Sequence, residues 1–162
     1  MDRMKSMIFA VAVTVASSSA AGDAAQKARP SAPKPVMLAV YKTPTCGCCA
    51  KWVEHMKQNG FTVNVTDLRD LSDIKTKHGI PSKVQSCHTG IVNGYVVEGH
   101  VPAADVKRML KERPAVAGLA LPGMPMGSPG MEGPPNIQPP PYEVLTFDKK
   151  GATRVYSRHG GR

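Results

Sequence analysis

Aromatic residues are scarce in this sequence: one Trp, four Tyr and three Phe amount to 5% of its 162 residues. A core with so few large rings has to be small and mostly aliphatic. Beyond Ala21 there is no hydrophobic run that approaches the ~20 residues needed by a transmembrane helix, and there is no internal repeat. A length of 162 residues predicts one domain with appendages.

Acidic residues are also few. The 12 Asp and Glu are outnumbered by 21 Lys and Arg, which gives a net charge of +9. A basic balance can indicate a nucleic-acid-binding protein, but these positive charges are scattered and the longest basic run is a Lys-Lys pair. We predict a solvated basic surface and no nucleic-acid partner, and electrostatic contact with an acidic membrane surface or partner stays open.

The N-terminus has the three-part pattern of a secretory signal. Arg3 and Lys5 precede the apolar run Met7–Ala16, and Ser19-Ala20-Ala21 supplies the small residues of a cleavage site. The alternative, a membrane anchor, needs a longer apolar run. We therefore expect residues 1–21 to be a signal peptide that is removed on export, which leaves no transmembrane segment.

The remaining sequence divides into four segments by composition. Residues 22–35 are rich in Ala, Lys and Pro and predict a flexible linker. Residues 36–113 have the periodic patterns of a folded domain. Residues 114–141 are dominated by Gly, Pro and Met, so no regular element is expected there. Residues 142–162 predict a hairpin followed by a frayed tail over Arg158–Arg162.

The hydrophobic pattern of residues 36–113 predicts the element order βαβαββα. The predicted elements are Val36–Tyr41, Cys48–Asn59, Phe61–Val65, Asp70–His78, a hairpin over Gly90–Val97 with an Asn93-Gly94 turn, and a helix opened by Pro102. The first helix has one apolar face, which is formed by Cys49, Trp52, Val53 and Met56. The strands of the C-terminal hairpin are predicted at Tyr142–Phe147 and Ala152–Ser157.

The four cysteines belong to two short motifs, Cys46-Gly47-Cys48-Cys49 at the junction of a strand and a helix, and Ser86-Cys87-His88-Thr89 before the hairpin. A helix N-terminus stabilises thiolates, and a Cys-x-x-Cys pair at that place is the thioredoxin arrangement. The predicted fold class is α/β, a thioredoxin-like domain with a Met/Gly/Pro-rich loop and a C-terminal β-hairpin. Aligning the hairpin with that of thioredoxin brings Cys87 near the other three cysteines.

Three chemistries are open to these cysteines. Structural disulfides, Cys46–Cys49 and Cys48–Cys87, are sterically feasible in an exported chain. Thiol–disulfide exchange by Cys46 and Cys49 fits their location, although a thiol at Cys48 would scramble their disulfide. A soft-metal site is favoured, because adjacent cysteines suit a cluster in which each sulfur bridges two ions. Thiolates select Cu(I), more than one ion is expected, and tetrahedral Zn suits the adjacent pair less well.

Neighbouring histidines and methionines are secondary candidates for the same site. His88 is next to Cys87, and His100 precedes the third helix near the same end of the sheet. Met124 and Met126 offer soft thioethers in a segment without a regular apolar stripe to bury them, and we expect this segment to close over the cysteines. Each of these residues has a plainer interpretation as a loop or packing residue.

The other basic residues are expected to act indirectly or to have no role in the site. Lys42 and Lys51, which flank the cysteine motif, are expected to lower the pKa of the thiols. No ligand role is predicted for His55, His78 and His159.

Four motifs in order resemble those of the CopG-like periplasmic copper-resistance proteins. They are TPTCGCC (Thr43–Cys49), SCHT (Ser86–Thr89), GYVVEGHVPA (Gly94–Ala103) and GLALPGMPMGSPGME (Gly118–Glu132). The resemblance implies a thioredoxin-like domain in the periplasm, a copper site at the four cysteines and a role in copper resistance. It also implies interconversion of Cu(I) and Cu(II), and other periplasmic copper-handling proteins as partners.

Overall fold

The structure, a computed structural model, describes residues 35–161. The predicted signal peptide and all but the end of the predicted linker lie outside the described residues. The elements in chain order are β1 (Val36–Lys42), α1 (Gly47–Gln58), β2 (Phe61–Asp67), α2 (Ser72–Lys77), a 3₁₀ turn (Ser82–Val84), β3 (His88–Val92), β4 (Tyr95–Glu98), α3 (Ala103–Glu112), β5 (Gly118–Ala120), β6 (Tyr142–Phe147) and β7 (Thr153–His159).

One mixed sheet of seven strands forms the centre of the described chain, in the order β2-β1-β3-β4-β5-β6-β7. β1 is parallel to β2 and antiparallel to β3, with Tyr41 opposite Thr89. β5 is parallel to β4 and antiparallel to β6, so the C-terminal hairpin extends the same sheet. This register places the end of β1, from which the chain enters α1, beside the start of β3. The two cysteine motifs therefore meet at one end of the sheet.

The predicted mixed α/β class is confirmed, and the elements predicted for residues 36–113 are present with shifted ends. The thioredoxin-like fold stays a prediction, because the sheet has more strands than the predicted domain supplies. Two expectations are wrong. The Gly/Pro-rich segment contains β5, which forms because β4 and β6 both pair with it. The tail does not fray at its start, since β7 extends to His159, whose ring bonds to Asp105.

The core fixes the orientation of α1. Its predicted apolar face is confirmed, because Cys49, Trp52, Val53 and Met56 are all buried. Trp52 is fully buried and its indole N–H donates to the carbonyl of Val101 at 2.9 Å. Complete burial of such an apolar side chain contributes about 1.5–3 kcal/mol, so the rotation of α1 about its axis is strongly determined.

α1 begins and ends at recognisable signals. Cys46 is the N-cap, and its sulfur accepts the backbone N–H of Cys49 at 3.3 Å. The helix ends at Asn59 and Gly60, where Gly60 has a positive φ of 86°. Among residues 35–161, no helix has the length and apolar character needed to cross a membrane.

Candidate metal centre

The first turn of α1 presents three cysteines in different directions. Cys46 caps the turn, Cys48 is partly exposed, and Cys49 is fully buried on the core side. The sulfurs of Cys46 and Cys48 are 3.5 Å apart. Cys46 and Cys49 form a disulfide in this structure, whereas Cys48 and Cys87 are free thiols.

Cys87 completes the cluster from the opposite side. It directly precedes β3, and its carbonyl oxygen lies 3.9 Å from the sulfur of Cys49. The four cysteine sulfurs all lie within 4.8 Å of one another. A metal–thiolate bond of about 2.3 Å allows two sulfurs on one ion to be at most about 4.6 Å apart. The structure therefore brings the four sequence-predicted cysteines into a volume that suits bridging thiolates.

The donor set fits a soft metal once the disulfide is reduced. Reduction of Cys46–Cys49 takes two electrons and two protons and restores two thiols, since the thiolate is the metal ligand. The oxidised and four-thiolate forms use the same sulfur atoms and exclude each other. Cys48 and Cys87 stay available as ligands in both forms.

Two buried imidazoles extend the cluster on the core side. His100 donates its Nδ1–H to the carbonyl of Pro129 at 2.8 Å, so its Nε2 accepts the thiol of Cys87 at 3.1 Å. A carbonyl partner on the far nitrogen is a common way to orient a metal-binding histidine. The Nδ1 of His88 lies 3.4 Å from the Cys87 sulfur. The Nε2 of His88 is buried without a hydrogen-bond partner among the described residues.

Both imidazoles are held in the neutral, ligating form. Burial lowers the pKa of His88 well below its usual range, and the nearby His100 and Lys75 lower it further. Burial also lowers the pKa of His100, although its bond to the Pro129 carbonyl opposes this shift. Cys49, Cys87, His88 and His100 offer ligand atoms that lie within 4.8 Å of one another. The site thus has a sulfur end and a mixed nitrogen–sulfur end that share Cys87.

The expected lowering of thiol pKa values is wrong for Cys87. Burial, with a smaller contribution from the neighbouring Cys48, raises the pKa of its thiol to about 11. Lys42 gives no compensation at close range, because its ammonium pairs with Asp67 at 2.8 Å. Lys51 is exposed on α1, on the open side of the cluster. Cys87 is therefore protonated at neutral pH until a ligand displaces its proton.

A buried ion pair, absent from the sequence analysis, holds the loop that carries Cys87. The ammonium of Lys75 on α2 contacts the carboxylate of Glu98, and both side chains are almost fully excluded from solvent. Glu98 also accepts the N–H of Ser86 at 2.7 Å and the hydroxyl of Thr89 at 2.7 Å. Lys75 donates to the carbonyl of Ser86 at 3.0 Å. Both neighbours of the Cys87-His88 pair are thus tied to one carboxylate, whose pKa burial raises.

The Met-containing segment closes over one side of the cluster. The sulfur of Met124 lies 3.9 Å from that of Cys48, and Met126 lines the same open cleft without a bond to a cysteine among the described contacts. Ser86 donates its hydroxyl to the carbonyl of Gly123 at 2.9 Å, which ties the segment to the Cys87 loop. A Cβ on Gly130 would lie 2.7 Å from the carbonyl of Cys48, so this segment packs directly on α1.

The remaining histidines lie in other contacts. His55 accepts the backbone N–H of Ala103 at 3.1 Å and so caps the start of α3, a role that sequence analysis missed. His78 ends α2. His159 contacts the carboxylate of Asp105 at 2.6 Å and stacks on Tyr142.

Comparisons with known proteins add to this geometry. The family model described as "Protein of unknown function, DUF411" matches residues 84–131. A solved structure titled "Copper resistance protein copG- Form 1" is 41% identical, with a TM-score of 0.73, and the match covers 79% of this chain and 100% of that one. The corresponding "Form 2" is 40% identical, with a TM-score of 0.72 and coverage of 78% and 99%. No curated protein matches the chain.

Proposed function

Because the chain belongs to the family of the copper resistance protein CopG, we propose that it binds Cu(I) as cargo through Cys46, Cys48, Cys49 and Cys87 and so contributes to copper resistance. The observation that supports this most strongly is the convergence of the four sulfurs within 4.8 Å of one another. Thiolates are soft ligands and select Cu(I). Zinc is the weaker candidate, because adjacent Cys48 and Cys49 suit a tetrahedral ion poorly.

We infer that the site holds more than one copper ion. Cu(I) accepts two or three thiolates, and four cysteines with two imidazoles offer more donors than one ion uses. Adjacent cysteines favour bridging sulfurs, each shared by two ions. His88 and His100 are then additional ligands at the core end of the cluster, whereas Met124 and Met126 lie at its open end and are not counted as ligands of the filled cluster.

Interconversion of Cu(I) and Cu(II) is part of the same proposal. Oxidation of the thiols of Cys46 and Cys49 to the disulfide releases two electrons and two protons. These two electrons reduce two Cu(II) to two Cu(I), so the reaction balances without another reductant. The disulfide in this structure has the oxidation state that such a step would leave.

We also infer the setting in which this happens. Strands β1–β4 with α1–α3 follow the βαβαββα order, which supports a thioredoxin-like core to which β5–β7 are added. Residues 1–21 are the proposed signal for export to the periplasm, where other copper-handling proteins are the proposed partners. The three-part pattern of residues 1–21 supports this location.

Thiol–disulfide exchange by Cys46 and Cys49 is the second candidate, since their disulfide lies at the N-terminus of α1. This alternative needs neither Cys48 nor Cys87. Anaerobic Cu(I) titration of the reduced protein against a competing chelator, with each cysteine changed in turn to Ser, separates the two. We expect every variant to lose far more than about a quarter of the copper, because bridging thiolates act as a unit. Full loading of Cys48→Ser and Cys87→Ser would instead favour the exchange enzyme.

A further inference from the structure

The cluster is closed on one side and open on the other. Cys49, His88 and His100 are fully buried, so an ion cannot reach them directly from solvent. On the other side, Cys48 and Met124 line an open cleft with a volume of about 680 Å³. Met124 is 51% exposed although its side chain is apolar, and Met126 beside it is 38% exposed.

We propose that Met124 is a capture site for Cu(I), at which an incoming ion is bound by the exposed thioether and then passed to Cys48. This inference rests on the proposed Cu(I) cargo and concerns how the ion arrives, not where it finally resides. Met126, on the wall of the same cleft, assists the capture. The donor is a soft Cu(I) complex, either a small chelate or a protein that presents exposed sulfur ligands.

The distance between the two sulfurs supports a direct transfer. Met124 and Cys48 are separated by 3.9 Å, which is less than the span of about 4.6 Å that two sulfurs on one ion can reach. One Cu(I) can therefore be held by both atoms while it changes ligand. A thioether is neutral and has no proton to lose, so it can bind Cu(I) directly.

The transfer balances without electrons. Cu(I) leaves its donor ligand as it binds the thioether sulfur, and the Cys48 thiol then loses its proton to water as the sulfur–copper bond forms. A thiolate is the stronger ligand, which makes the second step favourable.

The contacts of the segment fix Met124 at this position. Gly123 is tied to Ser86 by a hydrogen bond of 2.9 Å, and Gly130 packs against the carbonyl of Cys48. An apolar side chain that is half exposed gains little from packing. Met37 on β1 is exposed to a similar extent, 47%, and is not among the residues that line the cleft, so it provides a matched control.

Stopped-flow loading tests the proposal. Reduced protein is mixed anaerobically with the coloured Cu(I) complex of bicinchoninate, and the loss of colour is followed. Met124→Leu keeps the volume and removes the sulfur. We expect loading about tenfold slower in this variant, which corresponds to about 1.4 kcal/mol, with the same final copper per protein. Met126→Leu should slow loading less, and Met37→Leu should not change it.

Each contrary outcome identifies what has failed. An unchanged rate in Met124→Leu, or an equal slowing in Met37→Leu, would overturn the capture site. A lower final copper content in Met124→Leu would make Met124 a ligand of the filled cluster and also overturn it. If the unchanged protein itself takes up no Cu(I), the proposed Cu(I) cargo is wrong and the capture site is wrong with it. Normal final loading with an unchanged rate in Met124→Leu refutes the capture site alone.

Discussion

Replacement of Glu98 by Ala tests whether the position of Cys87 depends on a buried charge. Glu98 is fully buried and its carboxylate receives three donors, from Lys75, Ser86 and Thr89. The variant leaves the Lys75 ammonium buried without its counter-ion. It also frees the backbone N–H of Ser86, the residue before Cys87.

The cost follows from the burial of the pair. Removal of one partner of a buried ion pair destabilises a protein by about 3–5 kcal/mol, because the other charge stays desolvated. The hydrogen bonds lost with it belong to the same network and are not added separately. Typical domains have a free energy of unfolding of about 5–15 kcal/mol, so Glu98→Ala removes a large part of the total. Glu98→Gln keeps an acceptor and should cost less.

Urea denaturation of the oxidised protein measures this loss. The control is Glu143→Ala, because Glu143 pairs with Arg158 at 2.8 Å on the exposed surface and such pairs contribute at most about 1 kcal/mol. A double variant, Lys75→Met with Glu98→Leu, removes both charges and should recover most of the stability.

Measurement of copper binding then separates the effect on the position of Cys87 from the effect on the stability of the fold. In the double variant nothing ties Ser86 and Thr89 to β4 through a carboxylate, so Cys87 should be less well placed and Cu(I) affinity should fall. The reasoning is refuted if Glu98→Ala unfolds within about 0.5 kcal/mol of the unchanged protein, the range typical of surface changes. It is also refuted if the folded double variant binds Cu(I) as tightly as the unchanged protein.

Three further predictions follow from the site. The raised pKa of Cys87, about 11, should make its alkylation by iodoacetamide slow at neutral pH and progressively faster as the pH rises to about 11. The contribution of the neutral Cys87 thiol to the free energy of unfolding is present below the ordinary cysteine pKa and is lost as pH rises through about 11. A rate that levels off near the ordinary pKa would contradict this. Gly130→Ala should cost about 1–3 kcal/mol and speed the alkylation of the already partly exposed Cys48, because φ is 84° and a Cβ would meet the Cys48 carbonyl. Gly47→Ala, with open space around its Cβ, is the control. Thiol titration of the denatured protein should find two thiols before reduction and four after it.

The sequence predicted correctly those elements that depend on residues close together in the chain. The apolar spacing of α1 and the Asn93-Gly94 turn are confirmed. β5 could not be predicted, because its three residues form a strand only through pairing with both neighbours. The end of β7 likewise depends on the contact of His159 with Asp105, which are 54 residues apart. Such contacts are invisible to a pattern that covers a few residues.

The same distinction between local patterns and contacts distant in sequence applies to the site. Cysteine spacing predicted the cluster at α1, and the topological argument that Cys87 lies near it is confirmed by the sulfur distances. Lys75 and Glu98 gave no such signal, because a lysine in a short polar helix usually faces solvent. The only indication was the position of Glu98 after Val96 and Val97 in a short strand, where all three prove to be buried. Burial of a charge depends on what packs over it.

The disulfide and the proposed copper cluster compete for the sulfurs of Cys46 and Cys49, which links copper binding to the redox state. A ligand that binds only the reduced form stabilises that form by mass action, so Cu(I) should protect these thiols from oxidation. In the oxidised form, Cys87 is a weak competitor for the disulfide, because the thiolate is the attacking species and its raised pKa keeps the thiol protonated. Cys48, whose sulfur is 3.5 Å from that of Cys46, is better placed to attack this disulfide. A copper ion bound to Cys48 would prevent this attack, so metal binding at the open face would also keep the Cys46–Cys49 disulfide from exchanging with Cys48.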